Sequence, residues 1–236
     1  MDTPDPVLPT WDANAEAWTR AVRDGRIPSR SLATDGAIVD TVVQSSPARV
    51  LDVGCGEGWL CRALAARGIE AVGVDGSASL VESARAAGGA DYAALSYEEI
   101  ADDPSRVSDQ AFGAVVFNFA LLGDPVAPLL RATRSLLRPG GVMVVQTVHP
   151  WAVGVSPYAD GWQTEDFSGL GGGFPEPMPW FFRTLSSWTE QLASARLAVV
   201  STQEPAHPDT GRPLSLILVA APLENETVAT FRGAPA

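Results

Sequence analysis

The sequence predicts one α/β domain in which a mostly parallel sheet is covered by helices on both faces. Apolar runs of strand length alternate with amphipathic helical segments along the middle of the chain, which is typical of such sheets. The 236 residues, 46% of them hydrophobic, suffice for one substantial core, so insertions in one domain are expected rather than two domains. Three glycines on alternate positions stand where the first apolar run becomes a helix.

The segment 1–44 is predicted to form a helical cap on this domain. Its first ten residues are rich in proline and are expected to be loosely held. Trp11 and Trp18 share helical spacing, and Gly25 ends the first helix. The two predicted helices of the cap cover residues 11–25 and 31–44.

The segment 45–150 carries the alternating pattern and is predicted to be the cofactor-binding core. The Arg-Pro-Gly-Gly sequence at 138–141 is a strong stop signal for the last helix of this segment. The predicted strands cover 48–53, 69–75, 90–95, 112–121 and 142–148. One predicted helix ends at Gly68, and two others cover 77–89 and 124–141.

The segment 151–183 interrupts the alternation and is rich in glycine, proline and tryptophan. A long insertion in a compact domain is typical of a functional lid. The segment 184–236 then holds a helix and two strands predicted to form a closing antiparallel hairpin. Aromatic residues crowd the lid, which indicates either an apolar substrate pocket or a cap packed on the core. They are Trp151, Trp162, Trp180 and Phe181.

The chain is acidic, with a formal charge of −12 and a sequence pI of about 4.5, and all 16 basic residues are arginine. An acidic chain without a basic run is a poor electrostatic partner for nucleic acid or anionic lipid. A small-molecule substrate is therefore expected, with no nucleic acid and no membrane as partners. The oligomeric state stays open between monomer and homodimer.

Cys55 and Cys61 are the two cysteines of the sequence, too few for a disulfide framework or a zinc site. The N-terminus lacks the basic and apolar regions of a signal peptide. No apolar run approaches the roughly 18 residues of a membrane span. A reducing cytoplasm is the expected location.

Gly54, Gly56 and Gly58 allow positive φ angles and close approach of a ligand to the backbone. A dinucleotide-binding fingerprint would place its third glycine at position 59, which is Trp59. The pattern is instead D-x-G-x-G-x-G, which counts against an NAD-dependent oxidoreductase, although that function stays as an alternative.

Two carboxylates flank the glycine turn. Asp75 ends the second predicted strand, next to the turn in a parallel sheet, where it could accept hydrogen bonds from both hydroxyls of a ribose. Asp52 is expected either to face a positively charged group or to brace the turn. An adenosine with a cationic amino-acid tail fits this arrangement better than a diphosphate does.

Three stretches together resemble the class I S-adenosylmethionine-dependent methyltransferases: VLDVGCGEG at 50–58, VGVD at 72–75 and LLRPGGVMVVQTV at 136–148. The resemblance covers about residues 31–150, and the final hairpin is similar to the sixth and seventh strands of that family. It implies a Rossmann-like sheet of seven strands in the order 3-2-1-4-5-7-6, with the last strand antiparallel. It also implies S-adenosylmethionine as the cofactor.

The resemblance further implies a set of cofactor-binding residues. The aspartate that often binds adenine in this family is missing from the LSYEE stretch, so Ser96 or the Tyr97 backbone is expected to serve. Arg30 of the cap either pairs with the methionine carboxylate or is merely solvated. The full set is Asp52, Gly54, Cys55, Gly56, Gly58, Asp75, Gly76, Ser77, Ser96, Tyr97, Asn118, Phe119 and Ala120.

His149 is the candidate catalytic residue, because it ends the fifth predicted strand and an imidazole titrates near neutral pH. It could take a proton from the acceptor, or it could be packed in a His-Pro turn. His207, in the connection of the final hairpin, is a second candidate for the same role.

A methyl group on a sulfonium is already activated, so alignment and exclusion of water are the main requirements. The sequence therefore predicts methyl transfer from S-adenosylmethionine to a small molecule, at oxygen or nitrogen or at carbon. Two alternatives remain open: a non-catalytic S-adenosylmethionine-binding protein on the same fold, and the NAD-dependent oxidoreductase.

Overall fold

A computed structural model describes residues 6–170 and 172–223 of the chain. Within these ranges seven strands form one sheet, and two further strands form a separate hairpin. The strands are β1 (Arg49–Val53), β2 (Glu70–Asp75), β3 (Asp91–Ala94), β4 (Phe112–Asn118), β5 (Leu137–Val148), β6 (Gly161–Glu165), β7 (Met178–Phe182), β8 (Leu197–Gln203) and β9 (Ser215–Pro222).

Helices connect most of the strands. The side chains of Ser77, Ser96 and Thr184 accept backbone hydrogen bonds at the first turns of three of them. None of the helices in the described ranges is long and apolar enough to cross a lipid bilayer. The α-helices are α1 (Val7–Arg23), α2 (Asp35–Gln44), α3 (Trp59–Ala65), α4 (Ala78–Ala87), α5 (Tyr97–Asp102), α6 (Ala127–Arg134) and α7 (Leu185–Ser194), with a π-helical turn at Arg30–Thr34 and 3-10 turns at Pro104–Arg106 and Ser168–Leu170.

The sheet has the order β3-β2-β1-β4-β5-β9-β8. Strands β1 to β5 pair in parallel, whereas β9 pairs antiparallel with both β5 and β8. This confirms the predicted seven-stranded, mostly parallel sheet and its antiparallel last strand. The strand order puts the carboxyl ends of β1, β2 and β4 side by side, where ligands bind in open α/β sheets.

Both faces of the sheet are buried, as the pattern of β1 illustrates. Leu51 and Val53 belong to a core cluster that includes residues of α6 and α7. Val50, which points to the opposite face, belongs to a second cluster that includes residues of α2 and α3. The helices therefore cover the sheet on both sides, which holds the strand ends in fixed positions.

The predicted boundary between α6 and β5 was wrong. The helix ends at Arg134, and β5 begins at Leu137, which pairs with Phe112 of β4. The Arg-Pro-Gly-Gly sequence thus lies inside the extended strand, with Gly140 at a φ of 72°. Pairing with β4 outweighs the helical periodicity of the preceding leucines.

Three further boundaries differ from the prediction. Residues 7–10, expected to be loosely held, form the first turn of α1, while residues 1–5 lie outside the described ranges. The predicted helix over 31–44 contains a π-helical turn before α2. Strand β4 ends at Asn118, because Phe119 leaves the extended conformation and adopts a φ of 53°.

The lid contains a hairpin that the sequence analysis did not predict, with β6 paired antiparallel to β7. The Phe181 N–H donates to the Leu122 carbonyl at 2.8 Å. Arg183, 2% exposed, donates to the carbonyls of Leu121 and Gly123 and to the Asp124 carboxylate. These bonds tie the second strand of the lid to the loop after β4.

Candidate functional site

A cavity of about 440 Å³ lies over the carboxyl ends of β1, β2 and β4. Its floor comes from the glycine turn and the strand ends, and its roof comes from α1 and the lid. Among the predicted cofactor-binding residues, those that line it are Asp52, Gly54, Cys55, Gly56, Asp75, Gly76, Ser96, Tyr97, Asn118, Phe119 and Ala120.

The glycine turn adopts a backbone that only glycine tolerates well. Gly54, Gly56 and Gly58 have φ angles of 76°, 56° and 82°. A Cβ atom on Gly54 would lie 2.5 Å from the Ala120 Cβ, so the turn also needs a bare residue for packing. Gly58 does not line the cavity, and a Cβ there would lie 2.6 Å from the Tyr92 hydroxyl. Its role is to let α3 begin beside that ring.

Asp75 is held at the cavity edge by two backbone amides. Its Oδ2 accepts the Gly56 N–H at 2.8 Å, and its Oδ1 accepts the Ser77 N–H at 2.9 Å. Burial raises the pKa of the Asp75 carboxyl, and the two hydrogen bonds oppose that rise. Ser77 is buried and does not line the cavity, because its hydroxyl accepts the Leu80 N–H as the N-cap of α4.

Three side-chain atoms, one on each of three residues that line the cavity, are buried and have no hydrogen-bond partner among the described residues. They are Asp52 Oδ1, Asn118 Oδ1 and Arg30 Nη2. Asp52 is 1% exposed, and burial raises the pKa of its carboxyl to about 7. The Cys61 thiol donates to the other carboxylate oxygen of Asp52, at 3.5 Å. Unpartnered buried polar groups are rare in proteins and need an explanation.

The wall that begins with α5 adjoins the glycine turn and differs from the prediction in detail. The Ser96 N–H donates to Glu99 Oε2 at 2.8 Å, and its hydroxyl accepts the Glu99 N–H at 3.2 Å. These two hydrogen bonds form a capping box at the start of α5. The Ser96 N–H and hydroxyl, which were expected to bind adenine, are therefore used to cap the helix. The Tyr97 hydroxyl donates to the Ala120 carbonyl at 2.9 Å. Glu98, which the sequence analysis did not single out, also lines the cavity.

Glu57, inside the glycine motif, is a second residue that sequence reasoning missed. It lines the cavity, is 1% exposed, and accepts hydrogen bonds from Arg23 of α1 at 2.8 Å and from Arg62 of α3 at 2.7 Å. Its acidic character within an apolar stretch was the signal that could have found it. The two arginines neutralise its charge and join the cap to the glycine turn.

The lid supplies part of the apolar lining of the cavity, but only Trp180 of its four predicted aromatic residues lines it. Trp151 is 66% exposed and stacks on Tyr158 with ring centres 4.1 Å apart. Trp162 and Phe181 pack edge to face against each other outside the cavity. The lid residues that do line it are Val153, Glu165, Phe167, Gly169, Leu170, Met178 and Trp180.

The two histidines lie outside the cavity wall. His149 is 5% exposed, and its Nε2 lies 2.8 Å from Glu204 Oε1. His207 is half-buried in the β8–β9 connection, where its Nδ1 accepts the Asp209 N–H at 3.2 Å. The structure therefore does not bring either ring together with the other site residues, and a catalytic role for His149 stays a prediction.

The roof closes through a contact between α1 and the lid. The side chain of Asn14 is fully buried, its amide donates to the Glu176 carbonyl at 2.8 Å, and its oxygen accepts the Glu176 N–H at 3.3 Å. Trp11 and Trp18 line the cavity from α1. No cluster of three or more His, Cys, Asp or Glu side chains in the described ranges is arranged to hold a metal ion.

A family model described as a methyltransferase domain matches residues 36–202 of the chain. The ubiquinone biosynthesis O-methyltransferase of Marinobacter nauticus is 33% identical over 116 residues, which cover 47% of this chain and 48% of that protein. The chain thus spans about half the length of this curated relative.

Solved structures share the fold at low sequence identity. A putative S-adenosylmethionine-dependent methyltransferase from Listeria monocytogenes has a TM-score of 0.59 and 19% identity, with 75% of this chain and 92% of that chain covered. Magnesium protoporphyrin IX methyltransferase from Synechocystis PCC 6803, with bound SAH, has a TM-score of 0.57 and 17% identity, with 83% of each chain covered.

Proposed function

The chain belongs to the family of methyltransferase domains, and on that premise we propose that it transfers a methyl group from S-adenosylmethionine to a small acceptor. The observation that carries this proposal is the set of three buried, unpartnered atoms that belong to residues of the cavity wall. Two are acceptors, on Asp52 and Asn118, and one is a cationic donor, on Arg30.

This set complements the amino-acid tail of the cofactor. An ammonium group needs oxygen acceptors, which Asp52 and Asn118 supply, and a carboxylate needs a donor such as the Arg30 guanidinium. Asp75 lies at the end of the neighbouring strand, where its carboxylate can accept the ribose hydroxyls. Glu98 on the α5 wall is suited to accept hydrogen bonds from the adenine amino group, since the Ser96 groups serve the capping box.

The tail and the nucleoside together would fix the reacting sulfur between Asn118 and the lid. S-adenosylmethionine supplies a methyl group on a positively charged sulfur, which needs no further activation. Phe119 and Ala120 then shape the floor beneath that point, and Trp11 and Trp18 cover it from the cap. By this reading the protein contributes alignment and exclusion of water, which are the main sources of rate enhancement for such a step.

The acceptor is proposed to occupy the half of the cavity beside the lid. That wall is mostly apolar, and Glu165 is the one ionisable residue among the described lid residues that line the cavity. Its Oε1 accepts the Phe167 N–H at 2.8 Å. The other oxygen is suited to receive a proton from an attacking hydroxyl or amine. The name of the curated relative refers to transfer to oxygen, which favours a hydroxyl. A small, largely apolar acceptor with one such group fits best.

Isothermal titration tests the cofactor, and transfer of a radiolabelled methyl group tests the reaction. We expect S-adenosylmethionine and S-adenosylhomocysteine to bind, NADH not to bind, and apolar phenols or amines to receive the label. No binding of either adenosyl ligand at millimolar concentration contradicts the proposal. Tight binding with no transfer to any acceptor of a broad panel supports a non-catalytic cofactor-binding protein instead.

A further inference from the structure

The π-helical turn Arg30–Thr34 places Arg30 in the cavity wall, at the point where the cap meets α2. Turns of this kind are rare and often occur at functional sites. Nothing in the sequence RSLAT requires the wider turn, since these residues are compatible with an ordinary α-helix. A side chain of the sheet contacts the end of the turn.

Gln146, near the carboxyl end of β5, contacts the last residue of the turn. Its side chain is 1% exposed, and its amide nitrogen donates to the Thr34 carbonyl at 3.2 Å and to the Ser215 hydroxyl at 2.9 Å. Thr34 and Ser215 are fully buried. A buried polar side chain in a parallel sheet is costly, and here it ties the last residue of the turn to two central strands.

The guanidinium of Arg30 is restrained on two further sides. Its Nε donates to Asp35 Oδ1 at 2.9 Å, and its central carbon lies 4.4 Å from the ring centre of Trp59. Trp59 thus stacks on the arginine from the position where a dinucleotide-binding motif would have its third glycine. These restraints leave Nη2 as the buried donor without a partner.

We propose that Gln146 is a positioning residue for recognition of the cofactor's amino-acid tail, acting through the π-helical turn on Arg30. The inference rests on the proposed function and adds to it a path from the sheet to the ligand. Gln146 holds Thr34, the turn then sets the start of the Arg30 side chain, and Asp35 and Trp59 set its direction. The carboxylate of the tail pairs with the guanidinium that this arrangement holds in the cavity wall.

Two ligands separate tail recognition from the rest of the site. S-adenosylhomocysteine has the adenosine, the thioether and the tail, whereas 5′-methylthioadenosine has the adenosine and the thioether only. Titration calorimetry with both ligands on Arg30→Gln should show a loss of about tenfold or more for S-adenosylhomocysteine and less than about twofold for methylthioadenosine. Gln146→Leu should show the same selectivity, with a loss of about threefold to tenfold.

The double variant identifies the path. If Gln146 acts through Arg30, then Gln146→Leu adds less than about twofold to the loss already caused by Arg30→Gln. Thr41→Val is the matched control, because it removes a buried hydrogen bond from Thr41 to the Ala37 carbonyl in α2 without touching the turn. It should leave the affinities for both ligands within about twofold. Gln146→Met, unbranched and of similar length, replaces Gln146→Leu if that variant does not fold.

Three results overturn the inference. Parallel losses for both ligands in Gln146→Leu would mean that Gln146 supports the fold and not the tail, and unchanged affinity for both would remove it from the site. If Gln146→Leu lowers the affinity for S-adenosylhomocysteine by the same factor in the unaltered protein and in Arg30→Gln, then Gln146 does not act through Arg30. Failure of the proposed function looks different, since the unaltered protein would then bind neither ligand.

Discussion

Asp75 accepts backbone hydrogen bonds from Gly56 and Ser77, and these bonds fix its carboxylate at the edge of the cavity. Asp52 lies deeper and has a carboxylate oxygen without a partner. The two residues show two uses of the same side chain. In the proposed function, the first carboxylate would accept hydrogen bonds from a neutral diol, and the second would pair with a cation.

Asp75→Ala should weaken binding of S-adenosylhomocysteine by about tenfold to 150-fold, because one charge-assisted hydrogen bond contributes about 1.5–3 kcal/mol. Titration calorimetry measures the change. Asp91→Ala, an exposed aspartate at the start of β3, is the control and should bind as the unaltered protein does. Normal affinity in Asp75→Ala would show that this carboxylate does not hold the ribose.

Binding should depend on pH through Asp52, whose pKa burial raises to about 7. A cationic group binds the ionised carboxylate, so affinity should be full above pH 7 and should fall as Asp52 takes up a proton at lower pH. The decrease is at most about tenfold per pH unit. Titrations of S-adenosylhomocysteine from about pH 5.5 to 8.5 measure it. If the affinity of Asp52→Asn for S-adenosylhomocysteine depends on pH with the same slope, then a group other than Asp52 causes the pH dependence.

Sequence reasoning reached these residues because the motif that carries them is contiguous. Asp52, Gly54 and Gly56 lie within five positions, and Asp75 ends the strand that follows. The rest of the site depends on contacts distant in sequence. Asn14 and Glu176 are 162 residues apart, and the turn containing Arg30 is fixed by Gln146, which is 112 residues from Thr34. No local pattern contains that information.

At the scale of elements, the alternation of strands and helices predicted the sheet, whereas boundaries were set by packing. The Leu-Leu-Arg-Pro-Gly-Gly stretch has helical periodicity followed by a stop signal, yet Leu137 pairs with Phe112 and extends β5. The lid hairpin was missed because Gly161–Glu165 and Met178–Phe182 are short and lack alternation of polar and apolar residues. Tertiary pairing decides such segments.

Gly58 precedes the first residue of α3 and Gly68 follows the end of that helix, and the two glycines form a matched pair. Gly58→Ala should lower the free energy of unfolding by about 1–3 kcal/mol more than Gly68→Ala does, as chemical denaturation measures. Both residues have positive φ, at 82° and 76°, but a Cβ on Gly58 would lie 2.6 Å from the Tyr92 hydroxyl, whereas nothing lies within 4 Å of one on Gly68. Equal losses would mean that backbone conformation alone sets the requirement at Gly58.

At the scale of the whole molecule, the cavity is closed by two segments far apart in the chain. The cap supplies Trp11 and Trp18, the lid supplies Met178 and Trp180, and the Asn14 amide joins the two. Arg23 and Glu57 attach the same helix to the glycine turn. Ligand exchange through this roof requires these contacts to open.

Asn14→Ala should increase the dissociation rate of S-adenosylhomocysteine and lower the free energy of unfolding by about 1–3 kcal/mol, because the Glu176 backbone loses both partners. Stopped-flow fluorescence of the cavity tryptophans measures the rate. Thr10→Val, which removes a hydrogen bond to the Val7 carbonyl within the same helix, is the control. An unchanged rate in Asn14→Ala would show that exchange does not pass between α1 and the lid.

The acidic wall of the cavity has a consequence for turnover. Asp52, Asp75 and Glu98 are not matched by an equal number of cations, since Arg30 is the one basic residue on the described wall. Methyl transfer converts a charged sulfonium into a neutral thioether, so the spent nucleoside loses an electrostatic attraction that the donor had, worth about tenfold in affinity. If the chain transfers methyl groups as proposed, S-adenosylhomocysteine should bind less tightly than S-adenosylmethionine, and titration calorimetry with the two ligands measures the difference.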